Sequence, residues 1–243
     1  MPPPPIECGK KGHRFTVKRI IEDPTIYAGK RECVPPAVIR RLPRYHRFLG
    51  EMLRSGKLRT SSSELSQCMG VTSSQIRQDL NYFGGFGQQG YGYNVKFLHD
   101  SIADLLGMEE GFSVVIIGAG NLGRALVHSH MFEHRGITRL AMFDVDPAII
   151  GTEINGIPVY SVEELIPFCQ QNAVDIGVLT TPKDEAPFVA EQLARAGVSG
   201  IWNFSNMEIS LPEYDVAIEN MHMGDSLMAL CYGLKTKKLL KKE

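Results

Sequence analysis

The sequence of 243 residues has a single tryptophan, five cysteines and no apolar run near the roughly 18–20 residues needed to cross a bilayer. Cys8, Cys33, Cys68, Cys169 and Cys231 are scattered, odd in number and without a C-x-x-C pair. Neither a disulfide framework nor a zinc centre is therefore indicated, and no metal is expected. The first residues contain no apolar signal-peptide core, so the expected compartment is the cytoplasm and no membrane partner is expected. Overall charge is also lacking, with 26 Lys+Arg against 27 Asp+Glu. What is present is 43% hydrophobic and 22% charged residues, a balance that excludes wholesale disorder. The length admits one large domain or two ordinary ones.

The near-zero net charge hides an asymmetry. Residues 1–99 carry 16 Lys+Arg and 7 Asp+Glu, whereas residues 100–243 carry 10 and 20. Such a division suggests that the first half meets a polyanion. The plainer alternative is a chance partition of surface charge.

Residues 1–35 read as a basic, flexible extension, with a polyproline run from Pro2 to Pro5 and further prolines at 24 and 35. From Pro36 to Gly56 the apolar positions Ile39, Leu42, Tyr45, Phe48, Leu49, Met52 and Leu53 recur at helical spacing. Serines at 61–63 can cap a short second helix ending at Met69. Gly70-Val71 then turns the chain, and Thr72-Ser73-Ser74 caps a third helix expected over Gln75 to Phe83, with Arg77 and Gln78 outward. Helix, short helix, glycine turn and polar helix together make a helix-turn-helix. The stretch Gly84 to Tyr93, in which glycines alternate with aromatics, suits a β-hairpin wing lying close to a phosphate backbone. Residues 36–93 thus read as a winged-helix domain, and 94–110 as an amphipathic connector helix.

The period then changes. Residues 112–117 form a buried-strand run leading into Gly118-Ala119-Gly120-Asn121-Leu122-Gly123, and strands alternate with helices to residue 219. The fold class is therefore α/β, a doubly wound Rossmann domain over 111–219 behind the winged helix. Between strand and helix, Gly118 permits a tight turn, Gly120 lets the backbone approach a pyrophosphate, and Gly123 lets helix and strand pack closely. Asp144 ends the next strand, where a carboxylate accepts both ribose hydroxyls and repels a 2′-phosphate, which favours NAD(H). Arg139 precedes that strand and is poorly placed to accept NADP. Thr180-Thr181-Pro182 and Asn203-Phe204-Ser205 leave later strands at the edge facing the ligand crevice, where ordinary strand-exit turns are the alternative reading. The histidines fall in no catalytic arrangement, and little chain remains for a substrate domain, so no enzyme is expected. Residues 220–243 read as a final helix over 220–234, rich in methionine, followed by a basic lysine tail.

This combination resembles the Rex family of redox-sensing transcriptional repressors. The resemblance runs from about Pro35 to Leu234 and rests on an ordered set: Arg41-Leu42-Pro43, Tyr45, Gln75-Ile76-Arg77, Asp79-Leu80, Tyr82-Phe83-Gly84, Gly90 to Tyr93, Gly118 to Gly123, Phe143-Asp144 and Asn203-Phe204. It implies a homodimer that binds a palindromic double-stranded DNA operator and is released by NADH, with NADH and NAD+ as effectors. It also implies a C-terminal helix exchanged between subunits. Arg77 resembles the base- or phosphate-contacting residue of the recognition helix, with Ser73, Ser74 and Gln78 beside it, and Arg41, Arg59 and the wing with Tyr93 would hold phosphates. Gly118, Ala119, Gly120, Asn121, Leu122, Gly123 and Asp144 match the adenine side of the cofactor site. Thr180, Thr181, Pro182, Asn203 and Phe204 match loops at the nicotinamide end, and Arg47 matches an arginine of the domain-coupling switch.

Several positions depart from the family pattern. Gln88 and Gln89 stand where wings are usually basic, and Gln78 where the recognition helix often is. Ser129 stands where a tyrosine is common, and His222 where an aspartate partners the switch arginine. Asp225, one turn further on, is the expected substitute partner for Arg47. Two other readings stay open on sequence alone: a Rossmann oxidoreductase that binds NAD or coenzyme A beneath a helical cap, and a DNA-binding protein indifferent to nucleotides.

Overall fold

The computed structural model describes residues 34–83, 87–88 and 92–240. The expected extension over 1–35 therefore lies almost entirely outside the described residues, as does the wing tip with Gln89. The described residues open with α1 (Pro36–Ile39) and α2 (Leu42–Arg54). One helix was expected across this stretch. Pro43 breaks it, because a proline in the first turn lacks the N–H that would continue a preceding helix but is suited to begin a new one.

After α2 the chain forms β1 (Arg59–Thr60), α3 (Ser62–Met69) and α4 (Ser73–Asn81). Both caps are those the sequence offered: the Ser61 hydroxyl accepts the Glu64 N–H at 3.2 Å, and that of Thr72 accepts the Gln75 N–H at 3.1 Å. The Thr72 cap starts α4 two residues before the expected Gln75. Between the helices Gly70 takes φ +64°, the left-handed conformation that ends α3.

The wing is a three-stranded sheet. Strand β2 (Gly87–Gln88) pairs antiparallel with β3 (Gly92–Asn94), whose other edge takes β1 with Arg59 opposite Asn94. At Gly92, with φ +68°, a Cβ would stand 2.4 Å from the Thr60 carbonyl oxygen, so only glycine allows β1 to close on β3.

Helix α5 (Val95–Leu105) was expected as a connector, but it is part of the N-terminal core. Val95, Leu98 and Ile102 are fully buried against Leu42, Tyr45 and Leu49 of α2, Leu65 of α3 and Ile76 and Leu80 of α4. Four helices and the wing thus share one core, and the division expected at residue 94 does not follow it.

The C-terminal sheet is built from β4 (Ser113–Ile117), β5 (Thr138–Asp144), β6 (Glu153–Ile154), β7 (Ile157–Ser161), β8 (Ile176–Leu179), β9 (Gly200–Asn203) and β10 (Ala217–Asn220). Their order is β10-β9-β8-β4-β5-β7-β6, parallel throughout except for the β6–β7 hairpin. This is the doubly wound dinucleotide-binding order with a short antiparallel edge added. The hairpin turns on Asn155-Gly156, both at positive φ, a two-residue signal for such a turn. Helix α6 (Asn121–His128) packs on one face of the sheet, and α7 (Leu165–Asn172) and α8 (Ala186–Arg195) on the other. Alternation along β4 divides the two cores: Val115 and Ile117 face α7 and α8, and Val114 and Ile116 face α6. Cys169 is sealed in the first of these cores, and burial pushes its thiol up to about 12, which leaves it an inert packing residue.

The last helix, α9, spans Met223–Leu240, not 220 onward, because β10 continues through Asn220 in register with Asn203. It runs through the lysines. Met223, Leu227, Met228, Leu230, Tyr232 and Leu234 are all exposed on it, an apolar surface that has no partner among the described residues of one chain.

Candidate functional site

The glycine loop leaves β4 at the point where the strand order reverses, between β4 and β8. Gly118 takes φ +101°, and a Cβ there would stand 2.9 Å from the backbone carbonyl of Thr180. The Thr180 hydroxyl in turn donates to the carbonyl oxygens of Gly118 at 2.8 Å and Ile117 at 3.0 Å. Thr180 is thus partly a brace for the loop, a role that local sequence does not announce. A Cβ on Gly123 would fall 2.0 Å from the Gly118 carbonyl oxygen, so helix and turn touch directly. Gly120, by contrast, has nothing within 4 Å of where its Cβ would be. That open space lies over the N-terminus of α6, where no side chain caps the first amides of Asn121 and Leu122. Unpaired amides and the positive end of the helix dipole suit a pyrophosphate.

Asp144 ends β5 beside this turn. Its Oδ2 accepts the Ala119 N–H at 2.5 Å, and its Oδ1 accepts those of Val145 at 2.8 Å and Asp146 at 3.0 Å. The carboxylate is held at the rim of the glycine loop, as ribose recognition requires. Arg139 is turned away onto Glu133 and the Val127 carbonyl, so it offers no charge for a 2′-phosphate. Neither His128 nor His130 enters the crevice: His128 lies against the Arg124 carbonyl and His130 against Glu133.

Across the switch point, Thr181 and Pro182 continue from β8, and Asn203 and Phe204 from β9. The Thr181 hydroxyl is buried and without a hydrogen-bond partner. A buried orphan donor in a loop at the switch point is the kind of group a ligand satisfies. Asn203 is buried at the end of β9, and Phe204 is held by its N–H on the Leu179 carbonyl at 2.9 Å, with its ring 4.5 Å from that of Trp202. Glycines, orphan hydroxyl and ribose-side carboxylate together fit an adenine dinucleotide. Among the described residues no group of three His, Cys, Asp or Glu side chains could hold a metal ion.

On the N-terminal domain, Ser74, Arg77 and Gln78 are exposed along α4. A guanidinium N–H of Arg77 reaches the Ser62 hydroxyl at 3.1 Å, which holds the charge at the shared edge of α3 and α4. Tyr93, half-buried on β3, has its phenol pushed up by burial, an effect the nearby Arg77 charge opposes. Arg59 is exposed on β1 of the same sheet, which places helix and wing side by side. Ser73 instead faces inward, its hydroxyl 3.3 Å from that of Ser66 on α3.

Arg41 departs from its expected place. Its guanidinium does not point outward to a phosphate but grips Asp79 through two bonds, 2.7 Å from Nε and 2.8 Å from the terminal nitrogen. Asp79 is fully buried and also accepts the Tyr45 hydroxyl at 2.9 Å and the Gln75 amide at 2.8 Å. Burial alone would push its carboxyl up, but these donors outweigh it and hold the group below the ordinary range. The Arg41–Asp79 cluster therefore anchors the recognition helix to α2. Asp79 entered the sequence reading only as part of the family resemblance, with no role of its own; an acid between the inward positions Ile76 and Leu80 was the available signal.

Among the described residues of one chain the switch residues do not meet one another. Arg47 is exposed, its guanidinium 5.4 Å from the ring of Phe48, and among the described residues it enters no ion pair. Asp225 lies exposed in the first turn of α9, and the His222 Nε2 is 3.0 Å from Glu208 Oε2 in the same chain. Among the described residues of one chain, no contact takes the place of that aspartate partner.

Comparison with known proteins agrees with this architecture. Residues 33–81 match a family described as a putative DNA-binding protein N-terminus, and residues 109–207 match a CoA binding domain. The redox-sensing transcriptional repressor Rex of Thermoanaerobacter sp. (strain X514) is 48% identical over 213 residues, 88% of this chain and 95% of that one. The Rex of Clostridium botulinum (strain Hall) is 47% identical over 201 residues, 83% and 95% of the two chains. Among solved structures, RSP in complex with β-NAD+ and operator DNA superposes with a TM-score of 0.80 at 48% identity, covering 87% of this chain and 97% of its own. RSP in complex with β-NADH gives 0.79 at 44%, covering 87% and 99%. With a winged helix ahead of a dinucleotide crevice, and with this identity along almost the whole of its relatives, the chain belongs to the Rex family of redox-sensing transcriptional repressors.

Proposed function

We propose that this protein represses transcription in the cytoplasm as a homodimer that binds a palindromic DNA operator and is released by NADH. The observation that carries the reading is the glycine turn with Asp144 at its rim, on the same chain as a capped, basic-edged recognition helix. RSP, solved with NAD+ and operator DNA and separately with NADH, supports both ligands. Asn121 and Leu122 amides would hold the pyrophosphate, Asp144 the adenosine ribose, and Thr181 with Asn203 and Phe204 the nicotinamide end. Ser74, Arg77, Gln78 and Arg59 would face the duplex, Arg77 and Arg59 neutralising phosphates and so setting much of the salt dependence. The cofactor is read as an effector and the protein as a repressor and not an enzyme, because the relatives it matches over 88% of its length are transcriptional repressors.

Dimerisation is the natural fate of α9, whose exposed methionines and leucines form an apolar surface that none of the described residues of one chain covers. NADH can move the dimer only by its differential affinity for two arrangements, and two recognition helices must stay one DNA turn apart to bind both half-sites. The test is fluorescence anisotropy on an A·T-rich palindromic duplex at fixed salt, with NADH and NAD+ titrated separately. Release by NADH and not by NAD+ is expected; equal effects of the two would refute the sensor.

A further inference from the structure

Two asparagines at the ends of neighbouring strands have no spare hydrogen-bonding capacity. Asn203 Nδ2 donates to the Met207 carbonyl at 2.6 Å and to Asn220 Oδ1 at 2.7 Å. Its Oδ1 accepts the Ser205 N–H at 2.9 Å and the Ser205 hydroxyl at 2.7 Å. Asn220 Oδ1 accepts, besides Asn203, the Ile209 N–H at 3.1 Å. Its Nδ2 donates to the Ile209 carbonyl at 3.0 Å and to Glu208 Oε1 at 3.2 Å. A carboxamide has two donors and two acceptor lone pairs, and both side chains use all of theirs. Neither can rotate without breaking a bond of the other.

The chain of contacts continues past Asn220. Glu208 bridges it to His222, since its second oxygen lies 3.0 Å from His222 Nε2. The His222 carbonyl then accepts the Asp225 N–H at 3.1 Å in the first turn of α9. One end of this path is therefore a buried residue at the crevice edge of β9, and the other is the root of the exposed helix.

We propose that Asn203, Asn220, Glu208 and His222 form a relay that ties occupancy of the nicotinamide end of the crevice to the root of α9. Asn220 is its positioning residue. The proposal rests on the redox-sensor reading. A ligand group that draws the Asn203 amide toward the crevice takes its donor from Asn220 Oδ1, which keeps only the Ile209 N–H; the Asn220 carboxamide then moves on its remaining bonds to Ile209 and Glu208, and the Glu208–His222 contact shifts with it. The buried Asn203 carries this displacement, because leaving one of its bonds unmade inside the protein is costly, whereas Asn220, Glu208 and His222 pass it on nearer the surface.

The test measures one ratio, the dissociation constant for the palindromic duplex with saturating NADH divided by that without nucleotide. In Asn220→Asp, the amide donors are lost and a second carboxylate faces Glu208; the ratio should fall about fivefold or more. Adding Glu208→Gln restores an amide–carboxylate contact with the donor exchanged, and the ratio should return to within about twofold of wild type. Glu208→Ala, at an exposed position that carries little folding risk, should lower the ratio by itself. An unchanged ratio in Glu208→Ala, or no rescue in the double variant, overturns the relay. A wild-type ratio of one is a different failure: it overturns the sensor reading, and the relay with it, before any variant is compared.

Discussion

Replacing Asp79 by alanine tests whether the recognition helix is held by a buried charge cluster. Four hydrogen bonds converge on this carboxylate: two from Arg41, one from the buried Tyr45 hydroxyl and one from the Gln75 amide. Removing it leaves a guanidinium and a phenol without their acceptor, and breaking one side of a buried pair costs about 3–5 kcal/mol. Arg41 keeps 23% of its side chain in solvent, so the lower end, about 3 kcal/mol, is the expected loss. For a domain of this size urea slopes are about 1 kcal/mol per molar, so the midpoint should fall by ~3 M. Far-UV circular dichroism follows this transition. Trp202, the one tryptophan and a residue of β9, reports the other domain and should not move. NADH binding should be retained while duplex binding is lost. A midpoint shift below ~1 M would refute the reasoning and make the cluster no stronger than a surface pair. The pH dependence has a definite sign. The native Asp79 carboxyl lies below its ordinary range, so its stabilisation is complete above about pH 4 and is lost as pH falls through the depressed native value. Asp79→Asn should remove that part of the acid sensitivity.

Gly123→Ala places a methyl 2.0 Å from the Gly118 carbonyl oxygen, so the phosphate turn must move; calorimetry should show NADH binding weakened about tenfold or more, and unchanged affinity would disprove the close packing. Asp144→Ala removes the ribose-side carboxylate, and NADH affinity should fall about tenfold while discrimination against NADPH narrows. Arg77→Ala should weaken duplex binding and flatten the plot of log affinity against log salt by about 1.8, roughly 0.9 for each of the dimer's two copies; an unaltered slope would mean Arg77 neutralises no phosphate. Ending the chain after His222 removes the exposed apolar helix and should give a monomer by light scattering. A dimer of undiminished stability would place the subunit contact elsewhere.

The order of elements could be read from sequence because each left a local mark. The serine and threonine caps of α3 and α4, the change of period at residue 112 and the spacing of Gly118, Gly120 and Gly123 each carry their own physical reason. The Asn155-Gly156 hairpin carried an equally local mark and was passed over. Other features had none. Arg41 belongs to an exposed basic run by its neighbours, yet a carboxylate 38 residues away turns it inward. Helix α5 has the amphipathic pattern of any surface helix, and nothing local says which core its apolar face enters. Strand β1 is two residues long, too short for alternation to show, and exists only because β3 offers it an edge.

The sequence by itself determined the two domains, the helix-turn-helix, the dinucleotide turn and the acidic residue at its rim, since these follow from caps, periods and glycines acting over a few residues. Only the tertiary structure decided that Arg41 is an anchor, that Thr180 braces Gly118, and that Asn203 is linked through Asn220 and Glu208 to His222. Those assignments depend on which side chains the strand order and helix packing bring within hydrogen-bonding distance, and separation along the chain carries no information about that.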